Sequence, residues 1–210
     1  IADFRLHFYN ADGSRGEMCG NGARCICKFA YDMGIAGEAM VVQTDAGPVY
    51  GWRLGENQYR VQLNNPGTVD LHCLPNAAYV ELGDPGIPHS VTECSTLDWA
   101  DKEKLLPEFL RFRNSDAFPK GVNVNFYRRL SENSVRMLTF ERGVEDYTLA
   151  CGTGSASTAV ALWLQGRLPG GKLTAENPGG TLQIAIEGQE GIISAIYLEG
   201  PAEVLGTYDR

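Results

Sequence analysis

Residues 140–166 read FERGVEDYTLACGTGSASTAVALWLQG, and residues 8–34 read FYNADGSRGEMCGNGARCICKFAYDMG. Aligned without a gap, the two stretches match at Phe8/Phe140, Cys19/Cys151, Gly20/Gly152, Gly22/Gly154 and Gly34/Gly166. The matches fall where local structure should change: a strand end, a helix start and a helix stop. In each stretch a cysteine precedes Gly-x-Gly and then a run that can wind into a helix, closed by a glycine able to take positive φ. After Cys19, Ile26, Phe29, Ala30 and Met33 follow helical spacing, so the first helix is expected over Asn21–Met33. After Cys151, the run Ala159-Val160-Ala161-Leu162-Trp163-Leu164 is apolar almost all round, as a helix wrapped by sheet should be, and the second helix is expected over Thr153–Gln165. Such an internal repeat implies two halves of similar fold.

Outward from these helices the chain reads as strands. Alternating apolar runs cover 40–44, 48–53, 58–63, 77–82, 89–93, 122–130, 134–141, 180–187, 192–199 and 202–208, with a short strand at Phe4–Phe8. Short turn pieces such as Gly55-Glu56-Asn57, Ser131-Glu132-Asn133 and Gly188-Gln189-Glu190-Gly191 join many of them, which favours antiparallel hairpins. A weaker third helix, broken by Pro107, is expected over 98–111. The fold class is therefore α+β, with two pseudo-symmetric domains that each wrap a mostly antiparallel sheet around one central helix. The expected boundaries give one half as 1–64 plus 202–210 and the other as 65–201.

Composition narrows the function. The chain has 210 residues, 43% of them hydrophobic, enough for a sizeable core. Its 26 acidic against 18 basic residues give a net charge of −8, and the basic residues are scattered, which argues against nucleic acid. No apolar run approaches the length of a membrane span and no leader pattern opens the sequence, so a cytoplasmic protein is expected. Six cysteines are too few for a disulfide scaffold of this length, and reduced thiols are expected. Cys25, Cys27, Cys73 and Cys94 read as buried small hydrophobes. No second Cys/His pair stands at zinc-finger spacing, so no metal is expected.

The chemistry lies in the paired Cys-Gly-x-Gly. Glycines at a helix start let the backbone bring free N–H groups against an anion, and the helix dipole adds positive potential. Each thiol is expected to fall from about 8.5 into the range of roughly 3.5–7.5 found for cysteines at helix N-termini. Two such cradles could hold one α-carboxylate with a thiolate on one face of its α-carbon and a thiol on the other. One cysteine would remove the α-proton and the other would return a proton to the opposite face. Neither motif carries a lysine for pyridoxal phosphate, and no cofactor is expected.

Asn10-Ala11-Asp12-Gly13-Ser14 with Glu17-Met18-Cys19-Gly20-Asn21-Gly22-Ala23-Arg24-Cys25 resembles the first signature of the diaminopimelate epimerase family. Glu141-Arg142-Gly143 with Ala150-Cys151-Gly152-Thr153-Gly154 resembles its second. The resemblance implies cofactor-free interconversion of the LL and meso forms of 2,6-diaminopimelate on the route to lysine and peptidoglycan, by a homodimeric enzyme of two domains. It makes Cys19 and Cys151 the acid/base pair. The amides of Gly20, Asn21, Gly152 and Thr153 then hold the reacting carboxylate, while Asn10, Asn123, Glu141 and Arg142 read the distal amino-acid end. A carboxylate suits the two-pronged Arg142, and an ammonium suits Glu141. The family's Gly-Leu-Gly-Asn-Asp-Phe segment is not in this sequence, so an incomplete first domain is expected. Gly86-Ile87-Pro88-His89 stands where many members read Gly-Asn-Pro-His, and His89 is open to a site or a structural role. Two other readings stay open: a racemase of another amino acid such as histidine, and a non-catalytic redox-sensitive or anion-binding protein.

Overall fold

The computed structural model describes residues 1–9, 13, 15–16, 19–45, 47–84 and 86–206, with the side chains of 15 and 16 left aside. The chain forms two compact units, Ile1–Leu63 with Tyr197–Arg210, and Asn64–Ile196.

The first unit holds β1 (Phe4–Arg5), β2 (Phe8–Tyr9), β3 (Arg15–Gly16), α1 (Gly20–Asp32), β4 (Ala39–Thr44), β5 (Gly47–Arg53) and β6 (Gln58–Leu63). The segment expected as one strand, Phe4–Phe8, is instead two short strands interrupted at Leu6 and His7. Strand β1 runs parallel to β4, and β4, β5 and β6 form an antiparallel meander. Every second residue of the meander is buried (Met40, Val42, Val49, Tyr59, Val61, Leu63), the period that a sheet with one covered face requires. The cover is α1, whose Ala23, Cys27 and Ala30 are buried. A Cβ at Gly51 would lie 2.5 Å from the Cys27 sulfur, so glycine there lets helix and sheet approach.

The second unit holds β7 (Pro66–Leu74), β8 (Ala77–Gly83), β9 (Gly86–Glu93), α2 (Lys102–Arg113), β10 (Asn123–Ser131), β11 (Ser134–Glu141), β12 (Asp146–Thr148), α3 (Gly152–Leu164), β13 (Lys172–Asn177), β14 (Gly180–Gln189) and the start of β15 (Ile192–Pro201). Sheet order runs β14-β13-β11-β10-β9-β8-β7, with β12 on β11. The sheet is antiparallel except at β9/β10 and β11/β13. A parallel neighbour needs a long crossover, and those two connections carry α2 and α3. Helix α3 packs along β8, β9, β10, β13 and β14 and buries nearly all its residues. Helix α2 packs on β10 through an aromatic cluster in which the Phe109 and Phe126 rings lie 3.9 Å apart.

Three expectations are corrected. Helix α2 is not broken at Pro107 but runs through it. The carbonyl left without its N–H belongs to exposed Glu103, which water can satisfy, while buried Phe109 and Phe112 anchor the helix. No strand occupies residues 202–206. Val204 and Leu205 are exposed, and Ala202 N–H to the Asn57 carbonyl (3.0 Å) is the backbone bond recorded there. Strands β7 and β13, and the short β3 and β12, are additional to those expected.

Both helices end at the expected glycines with the same geometry. Gly34 and Gly166 have φ of +66° and +69°. The N–H of Ile35 bonds the Ala30 carbonyl and that of Arg167 bonds the Leu162 carbonyl, each at 2.8 Å, while Gly34 and Gly166 donate to Tyr31 and Trp163. These are Schellman closures.

Candidate functional site

The two helix starts are near copies. Cys19 and Cys151 are N-cap residues in extended conformation. The Cys19 sulfur accepts from the Gly22 N–H at 3.4 Å and the Cys151 sulfur from the Gly154 N–H at 3.3 Å. Capping by sulfur fixes each thiol against the positive end of its helix. The residues that follow, Gly20 and Asn21 in one helix and Gly152 and Thr153 in the other, occupy the first turn, where amide N–H groups have no acceptor within the helix. The Asn21 side chain accepts from Arg24 at 3.0 Å, and the Thr153 hydroxyl lies 3.5 Å from the Cys151 sulfur.

Around the caps the likeness stops. Beside Cys19 lies Arg24, 5% exposed, its guanidinium bonded to the Gly20 carbonyl (3.5 Å) and to Asn21. Burial lowers the Arg24 pKa, while the neighbouring charges of Cys25 and Cys19 oppose that shift. Beside Cys151 lies a carboxylate. Burial first, and then the charge of Glu141, push the Cys151 thiol up to about 12. The expected fall in pKa is therefore overturned for Cys151. The bonds from Thr153 and the Gly154 amide favour the thiolate, but desolvation and a like charge outweigh them. Glu141 closes β11 and accepts from the Thr148 hydroxyl at 2.7 Å.

Arg142 is exposed. Its backbone N–H donates to the Asn123 Oδ1 at 2.9 Å, and its guanidinium donates to the Lys120 carbonyl, which leaves other N–H groups for a ligand. Asn123 is buried and already employed, its Nδ2 donating to the Pro88 carbonyl at 3.0 Å. It thus holds Arg142 and the Pro88-His89 stretch of β9 in place. Asn10, with Ala11, Asp12, Ser14, Glu17 and Met18 of the first signature, lies outside the described residues.

Two residues not among the expected site residues stand out. Asn125 is fully buried, and its Nδ2 lies 3.1 Å from His89 Nδ1, 2.9 Å from the Ser90 carbonyl and 3.3 Å from the Asn123 carbonyl. Its Oδ1 accepts from the Thr139 hydroxyl at 3.0 Å. His89, left open between roles, is fully buried, and burial with the nearby Arg142 charge lowers its pKa to about 3, so it is neutral. A signal existed: Asn123 and Asn125 are polar at alternate positions of the otherwise apolar run from Val122 to Tyr127. Of the structural cysteines, Cys27 is buried as expected, Cys73 and Cys94 are half-buried, and Cys25 is exposed, correcting its reading as a core residue. Cys25 falls on the outward side of α1.

The chain matches the diaminopimelate epimerase family over residues 2–66 and again over 84–205. It belongs to that family. A diaminopimelate epimerase of Chlorobaculum tepidum is 35% identical over 216 aligned residues, covering 97% of this chain and 79% of the relative. One of Aquifex aeolicus is 38% identical over 169, covering 78% of this chain and 60% of the relative. Among solved structures, a probable proline racemase from Agrobacterium radiobacter aligns with a TM-score of 0.69 at 16% identity, covering 95% of this chain and 69% of that one, a likeness of fold. As a member of this family the chain is an isomerase. Among the described residues no helix is long and apolar enough to cross a membrane.

Proposed function

We propose that this chain interconverts LL- and meso-2,6-diaminopimelate by two-base proton transfer, with Cys19 and Cys151 acting on opposite faces of one α-carbon. The observation that carries the reading is the duplicated thiol cap, in which each sulfur accepts an amide N–H of its own helix start, in a chain of this family. The base thiolate takes the α-proton, and the electron pair left on carbon spreads into the adjacent carboxylate. Amides of Gly20, Asn21, Gly152 and Thr153 stabilise the negative charge on its oxygens. The opposite thiol then gives its proton to the far face, leaving one thiol and one thiolate with their roles exchanged. Cys151, held protonated by burial and by Glu141, is the proton donor in the resting protein. The two-base scheme then leaves Cys19 to take the α-proton. Arg142 binds the distal carboxylate and Glu141, with Asn10, the distal ammonium end, while Asn123 acts through the Arg142 backbone that it holds. Homodimeric assembly in the cytoplasm belongs to the same reading, and analytical ultracentrifugation tests the dimer.

The test is incubation with LL-diaminopimelate and reductant in deuterated water. Wash-in of deuterium at one α-carbon with appearance of the meso form is the expected result. Exchange on other amino acids but not on diaminopimelate would replace the substrate, and exchange on neither would end the two-thiol reading.

A further inference from the structure

We propose that Asn125 is a positioning residue whose side chain does two things at once: it locks His89 as the neutral tautomer protonated on Nε2, and it seats the first turn of α3 that carries Cys151. The second half rests on the catalytic reading of Cys151; the first does not.

The orientation of the Asn125 amide follows from its neighbours. The Ser90 and Asn123 carbonyls, at 2.9 and 3.3 Å, can only accept, so the NH₂ and not the oxygen must face them. His89 Nδ1 lies against that same NH₂ at 3.1 Å. A proton on Nδ1 would meet the amide hydrogens, so Nδ1 presents its lone pair and the single proton of the neutral ring sits on Nε2. Thr139, directly opposite Asn125 in the β10/β11 ladder, completes the set by donating to Oδ1 at 3.0 Å. The result is a buried N–H at His89 Nε2 that no group among the described residues accepts. Buried donors in native proteins are nearly always paired, so an unpaired one is a place kept for an acceptor, here an anionic oxygen or sulfur.

The seating role is steric. A Cβ at Gly154 would lie 2.1 Å from the Asn125 Oδ1 and 3.1 Å from its Cγ. Gly154 is the residue whose N–H caps the Cys151 sulfur at 3.3 Å. The Asn125 side chain is thus the floor on which the capping turn rests, and its displacement moves the thiol. Among the described residues the corresponding glycine of α1 has no such floor: a Cβ at Gly22 would meet none of them nearer than 3.6 Å.

The chain has three histidines, so the ¹⁵N–¹H spectra of histidine-labelled protein resolve each ring. The expected wild-type result is one histidine in the Nε2–H form that stays neutral on mild acidification. A His89 that is protonated on Nδ1, or that is charged at neutral pH, overturns the proposal. Asn125→Asp replaces the donor by an acceptor and should turn His89 to the Nδ1–H or charged form. Asn125→Ser removes the lock without adding charge and should leave mixed tautomers, which keeps the test alive if the aspartate variant does not fold. In α-proton exchange, either variant should lose kcat by about 100-fold, as small displacements of reacting groups do, with KM nearly unchanged. An unchanged tautomer and unchanged kcat in both would refute the assignment. If the wild-type protein exchanges no α-proton at all, the two-thiol reading fails, while the spectra still decide the tautomer.

Discussion

Helices α1 and α3 begin with the same sulfur cap and end with the same Schellman closure, yet they occupy different surroundings. Nearly all of α3 is buried, whereas α1 exposes Cys25, Phe29 and Met33. A buried arginine stands beside Cys19 and a carboxylate beside Cys151. Asn125 lies tight under Gly154, and none of the described residues lies tight under Gly22. The repeat copies backbone geometry, and the differences fall on the charges and packing around it. The two helix starts repeat one backbone arrangement, while unlike side chains stand beside the two thiols.

The sharpest way to break the comparison is to remove each thiol. Cys19→Ala and Cys151→Ala should each reduce racemisation to background, measured by circular dichroism or by coupled assay, because a single thiol cannot both take and return the proton. Substantial turnover by either variant would mean the two caps are not partners. Next in size is the glycine pair. Gly154→Ala should cost roughly 1–3 kcal/mol in urea unfolding, since the new methyl overlaps Asn125. Gly22→Ala should be neutral or gain up to about 1 kcal/mol, as alanine does in helices. Equal costs would show that the packing difference is not real.

A third test changes charge alone. Glu141→Gln should bring the Cys151 thiol down from about 12 but not to an ordinary value, because burial is the larger cause and remains. Each unit recovered raises the thiolate fraction at neutral pH about tenfold. Alkylation rates of Cys151 in a variant lacking exposed Cys25 would register it, and an unchanged rate would remove Glu141 from the account.

The smallest effect is in stability against pH. Cys27 and Cys151 are both raised from 9.0 to about 12, so between those values the folded chain keeps protons that the unfolded chain releases. Their stabilisation is full below pH 9 and is lost as pH rises toward 12. His89, lowered from 6.5 to about 3, works on the other side. Its contribution is present above pH 6.5 and is lost as pH falls toward 3. Melting temperatures of wild type and His89→Asn across that acid range should converge, and parallel curves would contradict the burial of a neutral ring.

Local chemistry made much of this legible in the sequence. Caps, glycine stops and two-residue alternation depend on neighbours in the chain, so α1, α3 and most strands follow from reading it. What failed depended on distant contacts. Strand β13 (Lys172–Asn177) is rich in residues that also suit helices and is made a strand by pairing with β11 and β14. Strand β7 hides behind Pro66, Gly67 and Asp70 in an edge position. Helix α2 survives Pro107 because Phe109 and Phe112 are buried, which no local rule foresees. In the candidate site the cysteines announced themselves, whereas the rise in the Cys151 pKa needed Glu141 to be brought beside a fully desolvated sulfur. Asn125 reads as a strand residue until His89, Thr139 and Gly154 gather around it.

The unlike partners of the two caps bear on reversibility. If Cys151 rests with its proton and Cys19 stands beside a cation, the two stereoisomers do not meet equivalent forms of the protein: one finds the acid and base already loaded, the other must wait for protons to be exchanged with water. Thermodynamics forbids that imbalance from moving the final ratio of isomers, which belongs to the substrate alone. It can appear only in how kcat and KM share the burden in each direction, so the asymmetry is written into the approach to equilibrium and vanishes at its end.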